Sequence, residues 1–275
     1  MQPRFNQPTC HARLTNKCMS DRNRLADLGI KDSEGTLQKR GRPSAMNEVL
    51  RQEKKYLLNI GCSHELSYRL GRVMMEDKHN GAGGYRIRSL YFDTLDDNDY
   101  RDKLDGMELR RKIRLRNYDP RGDFAMLEMK QKEGPYQRKR SLPLKREDGQ
   151  KLLQGDYSPL LQFSEAFAAE CYGLMNRMCY RPKAVVEYRR KAFVARENRI
   201  RITIDKDMTA TESCFDIFSE NLIQYPVWDA FHAVLEVKYN GFLPSYIKEL
   251  VSSVNCSEIS VSKYGLSRSV GLHST

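Results

Sequence analysis

The chain has 275 residues, with 47 Lys or Arg against 36 Asp or Glu, which gives a net charge of +11 and a pI near 9.3. Its 40% hydrophobic content can form one substantial core, so disorder throughout is excluded and one main domain is expected. A run of about 18 apolar residues and a secretory signal are both missing, which predicts a cytoplasmic protein without a transmembrane segment. The seven cysteines are scattered and never spaced C-x-x-C, which argues against a disulfide framework or a zinc site.

Residues 1–45 differ in composition from the rest of the chain. They hold nine Lys or Arg, four Asp or Glu and no sustained hydrophobic period, which is typical of disorder. We expect this segment to be disordered, or to be a spurious upstream extension of a protein that naturally starts at Met46. A basic arm that contacts nucleic acid or anionic lipid is the competing interpretation. Residues 46–275 are expected to form the folded domain.

After Glu48 the sequence alternates apolar and polar residues in short segments bounded by Gly, Pro, Asn and Asp, which is typical of β-strands. Eight strands are predicted, at Val49–Asn59, Gly84–Asp93, Glu108–Tyr118, Phe124–Gln131, Gln137–Leu144, Ala184–Val194, Ile200–Asp205 and Ala233–Lys238. Helical spacing of apolar residues predicts helices at Ser63–Met75, Lys145–Leu153, Leu160–Met178 and Pro244–Val254. The predicted class is α+β, with an eight-stranded antiparallel sheet closed into a tunnel or barrel and helices packed outside.

The polar face of these strands is unusually rich in cations. In segment 110–116, Ile113 and Leu115 share one face, whereas the other face carries a row of Lys and Arg. Segment 108–140 holds eleven cations and five acids, and like charges so close on neighbouring strands repel one another. Taken alone, each segment could be an ordinary strand with its apolar face buried and its polar face in water. If the sheet closes with its apolar face outward, however, the cations line the lumen, where a polyanion would neutralise them.

Two acids interrupt these cationic faces. Glu128 and Glu236 each lie two residues from a lysine on the same face, Lys130 and Lys238 respectively. Each carboxylate could hold Mg²⁺ or Mn²⁺ while the lysine binds a phosphate oxygen, and an ordinary ion pair is the alternative. Inward cations interleaved with carboxylates fit a slender phosphate chain with a metal better than double-stranded nucleic acid, so no nucleic-acid partner is expected. The sequence contains no P-loop and no kinase motif.

Seven short motifs occur in order along the chain: RQEKKY (51–56), SLYFD (89–93), KIRLR (112–116), LEMK (127–130), RITID (201–205), LEVKY (235–239) and SKY (262–264). Together they resemble the VTC domain, the catalytic domain of polyphosphate polymerases in the triphosphate tunnel metalloenzyme (CYTH-like) superfamily. The resemblance covers about residues 47–270. It implies an eight-stranded antiparallel tunnel that binds nucleoside triphosphate at one end, threads polyphosphate and is assisted by Mn²⁺ or Mg²⁺.

The resemblance also implies roles for individual residues. The phosphate-binding catalytic cations would be Lys55, Arg114, Arg116, Lys130, Arg190, Lys238 and Lys263. Further substrate contacts would come from Arg201, from the Ser262 hydroxyl, and from Arg138 and Arg140 as the inward members of their cluster. Arg51 and Tyr188 would bracket the nucleobase by stacking. Glu236 would be the main metal ligand, with Glu53 and Glu128 as additional ligands.

The superfamily's E-x-E-x-K signature is altered in this chain, because Arg51 stands in place of its first Glu and leaves Glu53 and Lys55. This departure favours transfer or binding over two-metal hydrolysis. The expected function is a metal-dependent phosphotransferase that adds the γ-phosphate of ATP to growing inorganic polyphosphate. A tripolyphosphatase or nucleoside triphosphatase, and a non-catalytic polyphosphate or inositol-polyphosphate sensor, are the alternatives. Whether a membrane protein receives the polymer stays open.

Overall fold

The computed structural model describes residues 51–134, 136–254, 256–260 and 262–269. The predicted disordered segment 1–45 and the predicted start at Met46 lie outside these residues, and so does the side chain of Arg51. Among the described residues, every helix is too short or too polar to cross a lipid bilayer.

Within these residues, eleven strands form one antiparallel sheet. They are β1 (Arg51–Asn59), β2 (Met75–Glu76), β3 (Tyr85–Asp93), β4 (Leu109–Asn117), β5 (Phe124–Glu133), β6 (Tyr136–Lys145), β7 (Arg181–Val194), β8 (Arg201–Thr211), β9 (Tyr225–Pro226), β10 (His232–Asn240) and β11 (Cys256–Glu258). Each predicted strand overlaps one of the eight long strands. The short strands β2, β9 and β11 are additional, so the predicted number of eight is wrong.

Six α-helices accompany these strands in the described chain. They are α1 (Ile60–Val73), α2 (Asn98–Leu104), α3 (Arg146–Leu153), α4 (Ala166–Arg177), α5 (Ser245–Ser252) and α6 (Lys263–Ser269). The four predicted helices overlap α1, α3, α4 and α5, whereas α2 and α6 lack an apolar period long enough to predict them. Helix α1 begins earlier than predicted because the Asn59 side chain caps it, accepting a hydrogen bond from the Gly61 N–H.

The sheet is open. Its strand order is β11-β1-β10-β8-β7-β3-β4-β5-β6, with β2 paired to β7 and β9 paired to β8. No ladder in the described residues joins β6 to β1, and β11 occupies the outer edge of β1 at residues 56–58. The predicted closed barrel is therefore wrong. Side chains nevertheless meet across the opening, since Lys130 Nζ of β5 lies 3.3 Å from Glu53 Oε2 of β1, so the sheet is strongly curved.

The outer, convex face of the sheet is apolar. Leu115 and Leu127 pack there with α3 and α4, and Leu58, Ile204 and Leu235 pack with α1 and α5. Each leucine buried in this way contributes about 1.5–3 kcal/mol relative to exposure. Four helices thus lie outside the sheet, as predicted.

Helix α6, which the sequence did not predict, lies instead against the concave face, so the expectation that helices pack outside the sheet does not hold for it. Its Tyr264 stacks on Tyr91 of β3 with ring centroids 5.0 Å apart, within a buried group that includes Ile87, Tyr188 and Met208. The Tyr264 hydroxyl donates to Asp93 Oδ2 at 2.8 Å. One part of the concave face is therefore filled by an aromatic core, and the rest is polar.

Gly84 is required by both backbone conformation and space. It has a φ of +83°, and a Cβ there would clash with the carbonyl oxygen of Arg190. We expect Gly84→Ala to lower the free energy of unfolding by about 2–3 kcal/mol. The matched control is Gly106→Ala, where φ is +69° and the surrounding space is open, so that only about 1 kcal/mol is lost. Urea unfolding measures both, and equal losses would contradict the clash.

Candidate functional site

Glu236 of β10 lies in the polar part of the concave face, almost fully buried. Its Oε2 is 3.6 Å from Arg190 Nη2, its Oε1 contacts the Lys238 ammonium, and Lys55 is its register partner on β1. Burial alone would raise the pKa of Glu236, but the surrounding cations, Lys238 foremost, hold it well below its usual range. The carboxylate is therefore ionised at neutral pH.

Glu53 of β1 is the register partner of Lys238 and contacts three lysines. Its carboxylate lies 3.3 Å from Lys55 Nζ, 3.3 Å from Lys130 Nζ and 3.8 Å from Lys238 Nζ. These ammonium groups lower the pKa of Glu53, against the opposing effects of burial and of Glu236. Glu53 and Glu236 thus share Lys238 and form one acidic pair, called here the Glu53/Glu236 pair.

Asp205 of β8 is a buried acid whose importance the sequence analysis missed. Arg190 donates to both of its oxygens, at 2.6 and 2.7 Å, and Lys263 Nζ lies 2.6 Å from Oδ2. These two cations lower the pKa of Asp205 despite its burial. The strand alternation of motif RITID already placed Asp205 on the same face as Thr203 and Arg201, and this was the signal that could have identified it.

Glu128 of β5 organises a second group of cations. Arg114 Nε donates to its Oε2 at 2.7 Å, Arg116 Nη1 lies 3.7 Å from the same oxygen, and Lys139 of β6 contacts Oε1. Against the effect of burial, these cations lower the pKa of Glu128 to about 2. Glu128 thus acts as a counter-ion to three cations in this arrangement, and its role as an additional metal ligand stays a prediction.

Arg201 and Ser262 lie at the margins of the charged region. Arg201 is the register partner of Lys238, and its Nη2 lies 2.7 Å from Asp77 Oδ2. Ser262 precedes α6, and its Oγ accepts hydrogen bonds from Lys112 Nζ and, at 3.2 Å, from the Gly265 N–H. The Ser262 hydroxyl thus contacts an amine of the concave face directly.

Comparison with protein-family models finds a match to the VTC domain over residues 50–270. The chain belongs to the VTC domain family. This membership relates it to proteins that handle polyphosphate and nucleoside triphosphates. A comparison with curated proteins finds no match.

Several solved structures are similar to this VTC domain at low sequence identity. A "putative adenylate cyclase" from Bacillus halodurans is 12% identical with a TM-score of 0.45, covering 78% of this chain and 95% of that one. Another from Vibrio parahaemolyticus is 14% identical with a TM-score of 0.44, covering 79% and 97%. The PH1819 protein of Pyrococcus horikoshii OT3 is 12% identical with a TM-score of 0.39, covering 78% and 97%.

The VTC domain brings most of the predicted cations to one face. The register aligns Lys55 with Glu236, Arg190 with Asp205, and Arg114 with Glu128, and all of these residues alternate onto the concave side. The predicted cations placed there are Lys55, Arg114, Arg116, Lys130, Arg190, Arg201, Lys238 and Lys263.

Arg138 and Arg140 are exceptions, and their predicted inward orientation is wrong. Strand β6 pairs Lys139 with Lys130 of the concave face, which places its two arginine neighbours on the convex side. There Arg140 forms an ion pair with Glu170 of α4 and stacks over the Phe167 ring at 4.9 Å. Lys139 is the inward cation of this strand.

Tyr188 is on the predicted face, but its ring is covered. Lys263 Nζ and Arg190 Cζ lie 4.8 and 5.3 Å from the ring centroid, and the residue is 2% exposed. Stacking of a nucleobase on this ring would require one of these cations to move. In this arrangement Tyr188 supports the two cations through cation–π contacts, and it presents no open face to a ligand.

The donor set for a metal ion is small. In the described part of the chain, no three His, Cys, Asp or Glu side chains are grouped as ligands for a metal. The Glu53/Glu236 pair offers ionised oxygens from adjacent strands, which are donors that Mg²⁺ and Mn²⁺ accept when substrate phosphates and water complete the coordination. The pair therefore fits a substrate-dependent metal site.

Glu128 provides a test of these counter-ions. Because its pKa is lowered from 4.5 to about 2, its stabilising effect is present above about pH 4.5 and is lost as the pH falls toward about 2. We expect Glu128→Gln to lower the free energy of unfolding at pH 7 by about 2–3 kcal/mol, with the difference from wild type vanishing near pH 2. Denaturant unfolding across this pH range measures the effect.

The matched control is Glu170→Gln on α4. Glu170 pairs with Arg140 on the convex side and its side chain is 43% exposed, so its removal is expected to cost less than about 1 kcal/mol. A loss from Glu128→Gln no larger than this, or one independent of pH, would contradict the counter-ion role.

Proposed function

We propose that this VTC domain is a polyphosphate polymerase, which transfers the γ-phosphate of ATP to the end of a growing polyphosphate chain. The observation that supports this most is the convergence of cations from six strands and α6 on one concave face. These cations are Lys55, Arg114, Arg116, Lys130, Lys139, Arg190, Lys238 and Lys263. A linear anion with closely spaced charges, such as a phosphate chain, matches such an extended set of donors.

The transfer reaction needs little covalent participation from the protein. An ionised oxygen of the terminal phosphate of the chain attacks the γ-phosphorus of ATP, the bond from that phosphorus to the β,γ-bridging oxygen breaks, and ADP leaves with the bond electrons. The attacking oxygen carries no proton, so no general base is required. The cations position both phosphate groups and neutralise the charge that spreads over the transferring phosphoryl group.

The acids contribute by holding these cations in place. Arg190 is fixed between Asp205 and Glu236, and Arg114 is fixed by Glu128. Because these side chains are already oriented, less conformational entropy is lost when a phosphate binds, and less reorganisation accompanies the reaction.

We further propose that the Glu53/Glu236 pair holds Mn²⁺ or Mg²⁺ when ATP is bound. Such an ion, held by Glu53 and Glu236, would neutralise part of the charge of the triphosphate. Arg51 stands where the superfamily signature has another Glu. The Glu53/Glu236 pair would therefore hold one metal ion, and a second metal site would lack that Glu. ATP and inorganic polyphosphate are the proposed partners, and a cytoplasmic location would provide the ATP.

Product analysis tests the function directly. We expect incubation with ATP and Mn²⁺ or Mg²⁺ to yield ADP and a polymer ladder on a polyacrylamide gel. Accumulation of orthophosphate without polymer would instead identify a tripolyphosphatase or nucleoside triphosphatase. Tight, salt-sensitive polyphosphate binding without ADP release would identify a sensor, and either result would contradict the polymerase.

Glu236 provides the sharpest test of the proposed metal site. We expect Glu236→Gln to lower kcat for polymer synthesis about a hundredfold, because the transition-state charge loses its metal, while ATP affinity changes by less than about fivefold. The matched control is Glu258→Gln on β11, where the exposed carboxylate lies 3.9 Å from Lys54 Nζ, and it should leave synthesis unchanged. Normal synthesis by Glu236→Gln, with its fold verified by circular dichroism, would contradict the assignment.

Strand β6 offers a matched pair of neighbouring cations. Lys139 faces the concave side and Arg138 the convex side, so Lys139→Met is expected to weaken tripolyphosphate binding about three- to tenfold, as for one partly exposed ionic contact. Arg138→Met should change the Kd less than twofold. Isothermal titration calorimetry at fixed ionic strength measures both, and the reverse order would contradict binding on the concave face.

A further inference from the structure

Lys112 of β4 lies on the concave face among four other cations. Lys130 of β5 is its register partner, and Arg110 lies two residues away on its own strand. Lys55 of β1 and Lys103 of α2 also act on it electrostatically. These five residues, from four elements, are called here the Lys112 cluster.

The Lys112 cluster differs from the other cationic groups because its central amine contacts no carboxylate of the residues that the structure describes. Arg190, Arg114 and Lys238 each contact an acid. In the described chain, by contrast, the polar contact of Lys112 Nζ is the hydroxyl of Ser262. The acid that reaches this region is Glu53, which contacts Lys55 and Lys130.

This environment disfavours the charged form of the amine. Burial, and then repulsion by Lys55, Lys103, Lys130 and Arg110, lower the pKa of Lys112 to about 7. At neutral pH a large fraction of the amine is therefore neutral. An anion placed against it would reverse this balance, because it supplies the negative charge that the cluster lacks.

We infer that the Lys112 cluster is a subsite for the terminal phosphates of a polyphosphate chain, and that a phosphate bound there draws a proton onto Lys112. The inference deepens the proposed function and rests on it for the identity of the ligand. The Glu53/Glu236 pair, with its proposed metal, suits the triphosphate of ATP, whereas the Lys112 cluster suits the chain end without a metal. The Ser262 hydroxyl, which contacts Lys112 Nζ, would add one polar partner for the same phosphates.

Proton uptake makes the affinity depend on pH in a defined direction. Below about pH 7 Lys112 is already charged, so binding of a phosphate chain takes up few protons. Above it, the free protein must gain the proton on binding, so the Kd rises about tenfold for each pH unit until the pKa of the bound state is reached. At pH 7.5 about three-quarters of a proton should enter per phosphate chain bound.

Isothermal titration calorimetry with tripolyphosphate, without metal, tests the inference. Titrations at pH 7.5 in two buffers of different ionisation enthalpy give the number of protons taken up. We expect wild type to take up about three-quarters of a proton and Lys112→Met to take up none and bind about tenfold more weakly. The control Lys248→Met removes a charge from the exposed face of α5 and should match wild type in both respects.

Lys112→Arg separates charge from proton uptake. Its guanidinium stays charged, so tripolyphosphate should bind at pH 8.5 at least as tightly as to wild type, but without the proton and with a flatter pH dependence. Protons gained or lost by tripolyphosphate itself contribute equally to both proteins, so the difference between wild type and Lys112→Arg gives the uptake by Lys112. Independently of any variant, the ¹³Cε resonance of Lys112 should titrate near pH 7 in the free protein and at a higher pH with tripolyphosphate bound.

The inference is overturned if wild type and Lys112→Arg take up equal numbers of protons, or if the Lys112 resonance does not move with ligand. This outcome is distinguishable from failure of the proposed function. If the protein takes up the proton but makes no polymer from ATP, the subsite is supported and the proposed polymerase function is wrong. A protein that makes polymer without proton uptake loses only the subsite.

Discussion

Repulsion among cations on the concave face is the constraint on which the rest of this structure depends. Lysines and arginines from seven strands lie on this one face, and an uncompensated set would oppose folding. Four acids offset this repulsion: Glu53, Glu128, Asp205 and Glu236 each contact at least two cations. The pKa of each acid is lowered in consequence. The fold can therefore form before any phosphate binds.

A buried hydrogen-bond network beside the charged region positions its cations. Asp93, at the end of β3, is buried and accepts hydrogen bonds from the Asp99 and Tyr100 N–H groups and from the Tyr264 hydroxyl. This network anchors both α2 and α6 to the sheet. Lys263, the first residue of α6, is thereby held against Asp205, and Lys103 of α2 is held near Lys112. The short helices that carry no apolar period of their own thus place two cations of the site.

The sequence was sufficient to predict which side chains of most strands face inward, because the apolar residues of each strand identify its convex face. Segment 137–140 has none, which is why Arg138 and Arg140 were assigned to the wrong side. The phase is visible only further along β6, where Leu142 and Leu144 are buried on the convex face and imply, by alternation, that Lys139 is inward. The open edge of the sheet could not be predicted, because it depends on the curvature of the sheet and on β11, a three-residue strand without a sequence signature.

The pairing of acids with cations also bears on how a polymerase could release its product. A charge-assisted contact contributes about 1.5–3 kcal/mol, so eight uncompensated cations would approach the roughly 18–21 kcal/mol limit of non-covalent affinity. A chain held so tightly could not advance. Where a phosphate displaces Glu128 from Arg114 or Asp205 from Lys263, the cation exchanges one anionic partner for another, and the net gain is small. On the proposed function, the carboxylates therefore allow the same face to bind a phosphate chain and to let it move.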